Sequence, residues 1–73
     1  MDAYIVEATI KAQLAEIRAR LEKGLRIAKA AEACAVSGRN RKGIEVAVGL
    51  EKIVAELNTL LNAAIMIHPV VKT

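Results

Sequence analysis

The sequence predicts an all-α fold: an antiparallel two-helix hairpin, coiled-coil-like, that pairs with a second copy into a four-helix bundle. Three observations predict it. The 73-residue chain is 55% apolar yet has a single aromatic residue, so its apolar mass is aliphatic and alanine. Turn-forming residues gather at one place, Ser37-Gly38-Arg39-Asn40-Arg41-Lys42-Gly43, between long stretches rich in strong helix formers. In both stretches apolar residues recur at alternating steps of four and three, the seam spacing of left-handed helix packing. Strand-like alternation is not sustained.

Helix 1 is expected over residues 3–36. Asp2 supplies an N-cap carboxylate, and Gly38 suits the left-handed position just past a helix end. The expected seam is Ile10, Leu14, Ile17, Leu21, Gly24, Ala28, Ala31 and Ala35, bulky at mid-helix and narrow toward the loop. The loop covers residues 37–40, with Asn40 as the cap of helix 2 over residues 41–67. That helix carries Val46, Leu50, Ile53, Leu57, Leu60, Ala64 and Ile67, widened by Val54 and Leu61. Pro69 disfavours helix at His68, so a short tail is expected to follow. Helix 1 is then the longer arm. Its first two turns, with Tyr4, Ile5 and Val6, are expected to overhang and to meet another chain.

A second stripe runs down helix 1 through Ala8, Ala12, Ala15, Ala19, Arg26, Ala30 and Ala33. It is either plain exposed alanine, the best helix former, or a second close-packing interface. The outward face of helix 2 adds Val48, Ala55, Ala63 and Met66. Two helices cannot cover this much apolar surface, whereas four can. A homodimer is therefore expected, with Tyr4, Ile5, Val48 and Met66 as the residues offered to a partner.

Composition excludes several classes. A chain this short buries only about 60% of its extended surface, so its own core is marginal. One cysteine, Cys34, cannot form an internal disulfide. The apolar content is too high for intrinsic disorder. The acidic start, Met1-Asp2-Ala3-Tyr4, lacks the basic opening of a signal peptide. The longest charge-free stretch, Leu57 to Val71, is interrupted by Asn58, Asn62, His68 and Pro69 and falls short of a bilayer span. A cytoplasmic protein without membrane contact is expected.

No catalytic constellation is legible. One histidine and one cysteine cannot form a zinc cluster within one chain. His68 reads as a residue near a helix C-terminus or a contact built between chains, and Cys34 as a small apolar filler or a thiol near Lys29, Arg39 and Arg41. The glycines lack the spacing of a phosphate loop, and no nucleophile stands beside a base. No enzyme activity, cofactor or metal is expected.

Charge is more informative. Residues 11–42 hold nine bases against three acids, while the whole chain is only +3. Arg18, Lys29, Arg39, Arg41 and Lys42 could contact an anion, an acidic protein or a nucleic acid, or form a solvated face. Stacking aromatics and helix-turn-helix or zinc patterns are missing. The first expectation is a non-enzymatic interaction module acting as adaptor, co-chaperone or inhibitor of another protein. The alternative is an RNA- or DNA-binding regulator using the basic face and loop. In architecture alone the hairpin is similar to small bacterial, plasmid and phage helical hairpins, among them Rop-like RNA-binding hairpins, type III secretion co-chaperones and phage inhibitors of host factors. No residue signature selects among these.

Overall fold

A computed structural model describes the backbone of residues 3–71 and the side chains of residues 3–67. Three helices follow in order: α1 (Ala3–Val36), α2 (Asn40–Ala47) and α3 (Leu50–Val71). Both α2 and α3 pack along α1, so the chain is a hairpin with a broken second arm. It measures 54 × 16 × 14 Å, with a radius of gyration of 16.7 Å. A compact chain of this length would have a radius near 11 Å. The rod shape follows from the single turn: with one reversal, 34 residues of α1 stretch to roughly 50 Å.

The turn forms as the sequence predicts. Gly38 sits at φ +89°, the left-handed region, and is followed by the paired bonds of a Schellman motif. The Arg39 amide donates to the Cys34 carbonyl at 2.9 Å and the Gly38 amide to the Ala35 carbonyl at 2.9 Å. The Ser37 hydroxyl also donates to the Cys34 carbonyl, at 2.8 Å. Together these close the end of α1 at Val36.

Four boundary details differ. Asn40 is the first helical residue of α2 rather than its cap, and Arg39 takes the cap position without a side-chain bond. The second arm is not one helix, because Val48 and Gly49 tighten into a turn. There the Gly49 amide reaches the Val46 carbonyl at 3.1 Å, leaving a Cβ at Gly49 only 3.2 Å from that same oxygen. A glycine is what lets this turn tighten. The third difference lies at the far end, where α3 runs through His68 and Pro69 to Val71. Proline removes one intrahelical donor and disfavours helix before it, but these act only on the last turns of a long helix. The fourth follows from the third: the longer second arm leaves less of α1 overhanging, and Val6 is 2% exposed. The expected Asp2 cap and the His68 side chain lie outside the described residues.

The seam of the second arm is the predicted one: Val46, Leu50, Ile53, Leu57, Leu60, Ala64 and Ile67 are all buried or half-buried. The seam of α1 is rotated. Ile10, Ile17, Gly24 and Ala31 face inward as expected, but the alternating positions are Val6, Gln13, Arg20, Ile27 and Cys34. Leu14, Leu21, Ala28 and Ala35, each one residue further on, are exposed. A two-helix contact covers one narrow stripe, and α1 carries two overlapping ones. Among the described residues only Val6 and Ile53 become a buried apolar core.

At Gly24 the two arms come close with room to spare. A methyl there would touch Ile53 Cγ2 and Leu50 Cδ2 at 3.6 Å, ordinary packing distance. Glycine in a helix interior costs about 0.8–1 kcal/mol relative to alanine. Gly24→Ala is therefore expected to stabilise the chain by about 0.5–1 kcal/mol, read as a higher urea midpoint. An unchanged or lower midpoint would mean that the arms cannot accept the methyl.

Candidate interaction surfaces

The rotated seam gives the hairpin two unlike sides. Around the rod, Glu16 and Arg20 of α1 fall on the same side as Lys52, Glu56 and Thr59 of α3. Arg20 is the hub: its Nη1 pairs with Glu16 one turn back, and its Nε lies 3.4 Å from Glu56 Oε1 across the hairpin. The hydrogen bond to Glu16 raises the Arg20 pKa above its ordinary value; partial burial opposes this, and the charges of Glu16 and Glu56 add to it. The guanidinium therefore stays charged at any working pH. Its Nε is shielded from solvent and lacks hydrogen-bond geometry toward Glu56, as is the Gln13 carbonyl oxygen, which has no donor. This side is polar but imperfectly satisfied.

The opposite side is apolar. A hollow near the loop is lined by Ala31, Glu32 and Ala35 of α1 together with Gly43, Ile44 and Ala47 of the second arm. Residues one step outside the two seams therefore share this side. Continuing away from the loop, the same positions hold Leu21 and Leu14 on α1 and Val54 and Leu61 on α3. Leu25 and Ile65 flank them. All six are about half exposed, from 49% to 55%.

Arg20, the charged residue among the α1 seam positions, has a testable role in keeping the two sides distinct. Arg20→Met should preserve helix content by circular dichroism while adding larger species in sedimentation velocity. The polar side would then carry an apolar side chain where the two ion pairs meet, beside Glu16 and Glu56. A single unchanged species would show that the ion pairs do not restrict association.

The residues expected to meet a partner are exposed but do not form one patch. Tyr4 and Ile5 border a groove of about 420 Å³ at the free end, which runs past Ala8 and Ala12 toward Leu60. Met66, 77% exposed, is on the other arm and is not part of that groove. Val48 sits at the α2–α3 turn, near the loop end. The alanine stripe from Ala8 to Ala33 is exposed along its length.

The basic residues divide similarly. Arg39, Arg41 and Lys42 are exposed together at the loop end, where Arg39 Nε donates to Ser37 Oγ at 3.4 Å and Lys42 Nζ lies 3.9 Å from Glu45. Arg18 is on the shaft and pairs with Glu22 at 2.8 Å. Lys29 is exposed between them. Cys34 is a half-buried free thiol on the seam. Among the described residues no group of three His, Cys, Asp or Glu could hold a metal ion, and no helix is long and apolar enough to cross a membrane.

Sequence reasoning missed the apolar side because it placed Leu14 and Leu21 inside the hairpin. The signal that could have found it is the polarity of Gln13 and Arg20 set against Glu56, a pairing visible only once the arms are aligned. No known protein family, curated protein or solved structure matches the chain.

Proposed function

We propose that this chain is a non-enzymatic protein-interaction module that works as a homodimer of helical hairpins. One observation carries the reading: among the described residues only Val6 and Ile53 are buried apolar side chains, while twelve large apolar residues are exposed. Monomeric proteins rarely expose contiguous apolar patches beyond a few hundred Å². Dimerisation uses part of this surface, and the free-end groove beside Tyr4 and Ile5 is offered to a second protein as adaptor, co-chaperone or inhibitor, with Met66 and Val48 as separate exposed contacts. Sedimentation equilibrium across the micromolar range tests the premise. A dimer is expected; a stable monomer that binds no hydrophobic dye would sink the reading.

A nucleic-acid reading has one observation in its favour, the cluster of Arg39, Arg41 and Lys42 exposed at the loop. Against it, Arg18 and Lys42 already have carboxylate neighbours. It requires RNA or DNA binding whose affinity falls with salt at a log–log slope near −0.9 per phosphate contacted on duplex DNA. No gel shift at low salt would dispose of it.

A further inference from the structure

Resting on the dimeric reading above, we infer that two copies pack through the apolar side formed by Leu14, Leu21 and Leu25 of α1 with Val54, Leu61 and Ile65 of α3. Their loops point to opposite ends, and the two-fold axis passes at the level of Leu21 and Val54.

Area argues for a second copy. The chain exposes 5633 Å², whereas a compact monomer of 7.8 kDa would expose roughly 4,400 Å². The excess, about 1,200 Å², exceeds the ~800 Å² that each partner contributes to a standard interface. The opposite side cannot supply it, because Glu16, Arg20 and Glu56 would have to be buried there. The free-end groove is too short to cover the rod.

Side-chain size selects the arrangement. Along the apolar side the loop end carries Ala28 and Ala47, while the free end carries Leu14 and Leu61. The arms align with Arg20 opposite Glu56 and Gly24 opposite Ile53, which places Leu21 and Val54 at the middle of the rod. With loops at opposite ends, Leu14 meets the partner's Ala28 and Leu61 meets the partner's Ala47. Large against small keeps the helix spacing even. With loops at the same end, leucines would stack on leucines and alanines on alanines. The hollow of about 390 Å³ at the loop end would then stay empty. In the opposite-ends dimer the partner's Ile65 falls over Ile44 at that hollow.

Charge agrees. Lys11 lies on the rim beside the partner's Glu32, and by symmetry Glu32 beside the partner's Lys11. The same-ends dimer would instead set Lys11 against the partner's Ile65 and Glu32 against the partner's Ile44. It would also crowd both copies of Arg39, Arg41 and Lys42 together, a like-charge cluster. In the opposite-ends dimer each basic loop sits near the partner's Glu7.

Two measurements test this. Lys11→Glu and Glu32→Lys are exposed changes that spare the hairpin's own seam. Each alone should weaken the dimer about three- to tenfold, and together they should restore most of it. Additive losses without rescue would overturn the pairing. Spin labels at Ser37→Cys, in a Cys34→Ala background, should then lie near the 54 Å length of the rod apart. A dimer with labels within about 20 Å, roughly two helix spacings, would overturn the arrangement while leaving the dimeric reading standing. A monomer by sedimentation would overturn both. As a control, Ala19→Arg on the alanine stripe should leave the dimer unchanged, and loss of the dimer there would assign the interface to that stripe instead.

Discussion

Ile53→Ala is expected to lower the unfolding free energy by about 2–5 kcal/mol, the range for truncating a buried isoleucine. Ile53 is 4% exposed and is one of two buried apolar side chains among the described residues. Its Cγ2 faces the Gly24 position of α1, at the middle of the rod where neither end can fray to relieve a cavity. A domain of this length has on the order of 4–11 kcal/mol of stability in all. The loss is therefore a large share of the total, and partial unfolding near room temperature is the expected result. Urea denaturation followed by circular dichroism measures it. The neighbouring Val54→Ala, an exposed position in the hairpin, provides the contrast. Its effect should shrink and vanish as protein concentration falls through the dimer range, whereas the Ile53 effect should persist in the dissociated chain. A cost below about 1 kcal/mol for Ile53→Ala would mean that the arms are held together elsewhere.

The contrast between Ile53 and Val54 is also where the sequence reading reached its limit. Helix 2 has one dominant seam, so its inward set could be read from spacing alone. Helix 1 has two overlapping sets that share Ile10, Ile17, Gly24 and Ala31. Spacing favours the one with leucines, and hydrophobicity favours it further. The structure selects the other because Arg20 finds Glu56 on the opposite arm and because Val6 and Ile27 replace part of what the leucines would have contributed. Long-range pairing of this kind leaves no local trace. The Gly38 turn, by contrast, is local: a left-handed residue, two backbone bonds and a polar run are all encoded between Cys34 and Gly43. The break at Gly49 is local too, but one glycine among strong helix formers is a weak signal. The candidate interface was legible as an excess of apolar surface and not as a particular side, because the side depends on which stripe the hairpin consumes.

Gly43→Ala should destabilise the chain by about 1–3 kcal/mol, the cost of overpacking a close contact, although the same change at Gly24 stabilises it. Both glycines are helical and buried, and alanine gains up to about 1 kcal/mol of helix propensity at each. The difference is what the new methyl meets. At Gly24 it meets flexible side chains at 3.6 Å; at Gly43 it lies 2.8 Å from the Ala31 carbonyl oxygen. A backbone carbonyl within α1 cannot rotate away, so α2 must retreat from α1. Ala35 is also within 3.6 Å of the added methyl, which blocks the simplest lateral slide. Because Gly43, Ile44 and Ala47 line the hollow near the loop, that retreat reshapes the surface on which the partner's Ile65 is placed. Gly43→Ala should therefore show two readouts: a lower urea midpoint, and weaker dimerisation at protein concentrations where the hairpin is still folded. A variant as stable as the parent would mean that α2 is free to shift. Lowered stability with unchanged dimer affinity would separate the close approach at Gly43 from the interface and place the partner contact nearer to Leu21 alone.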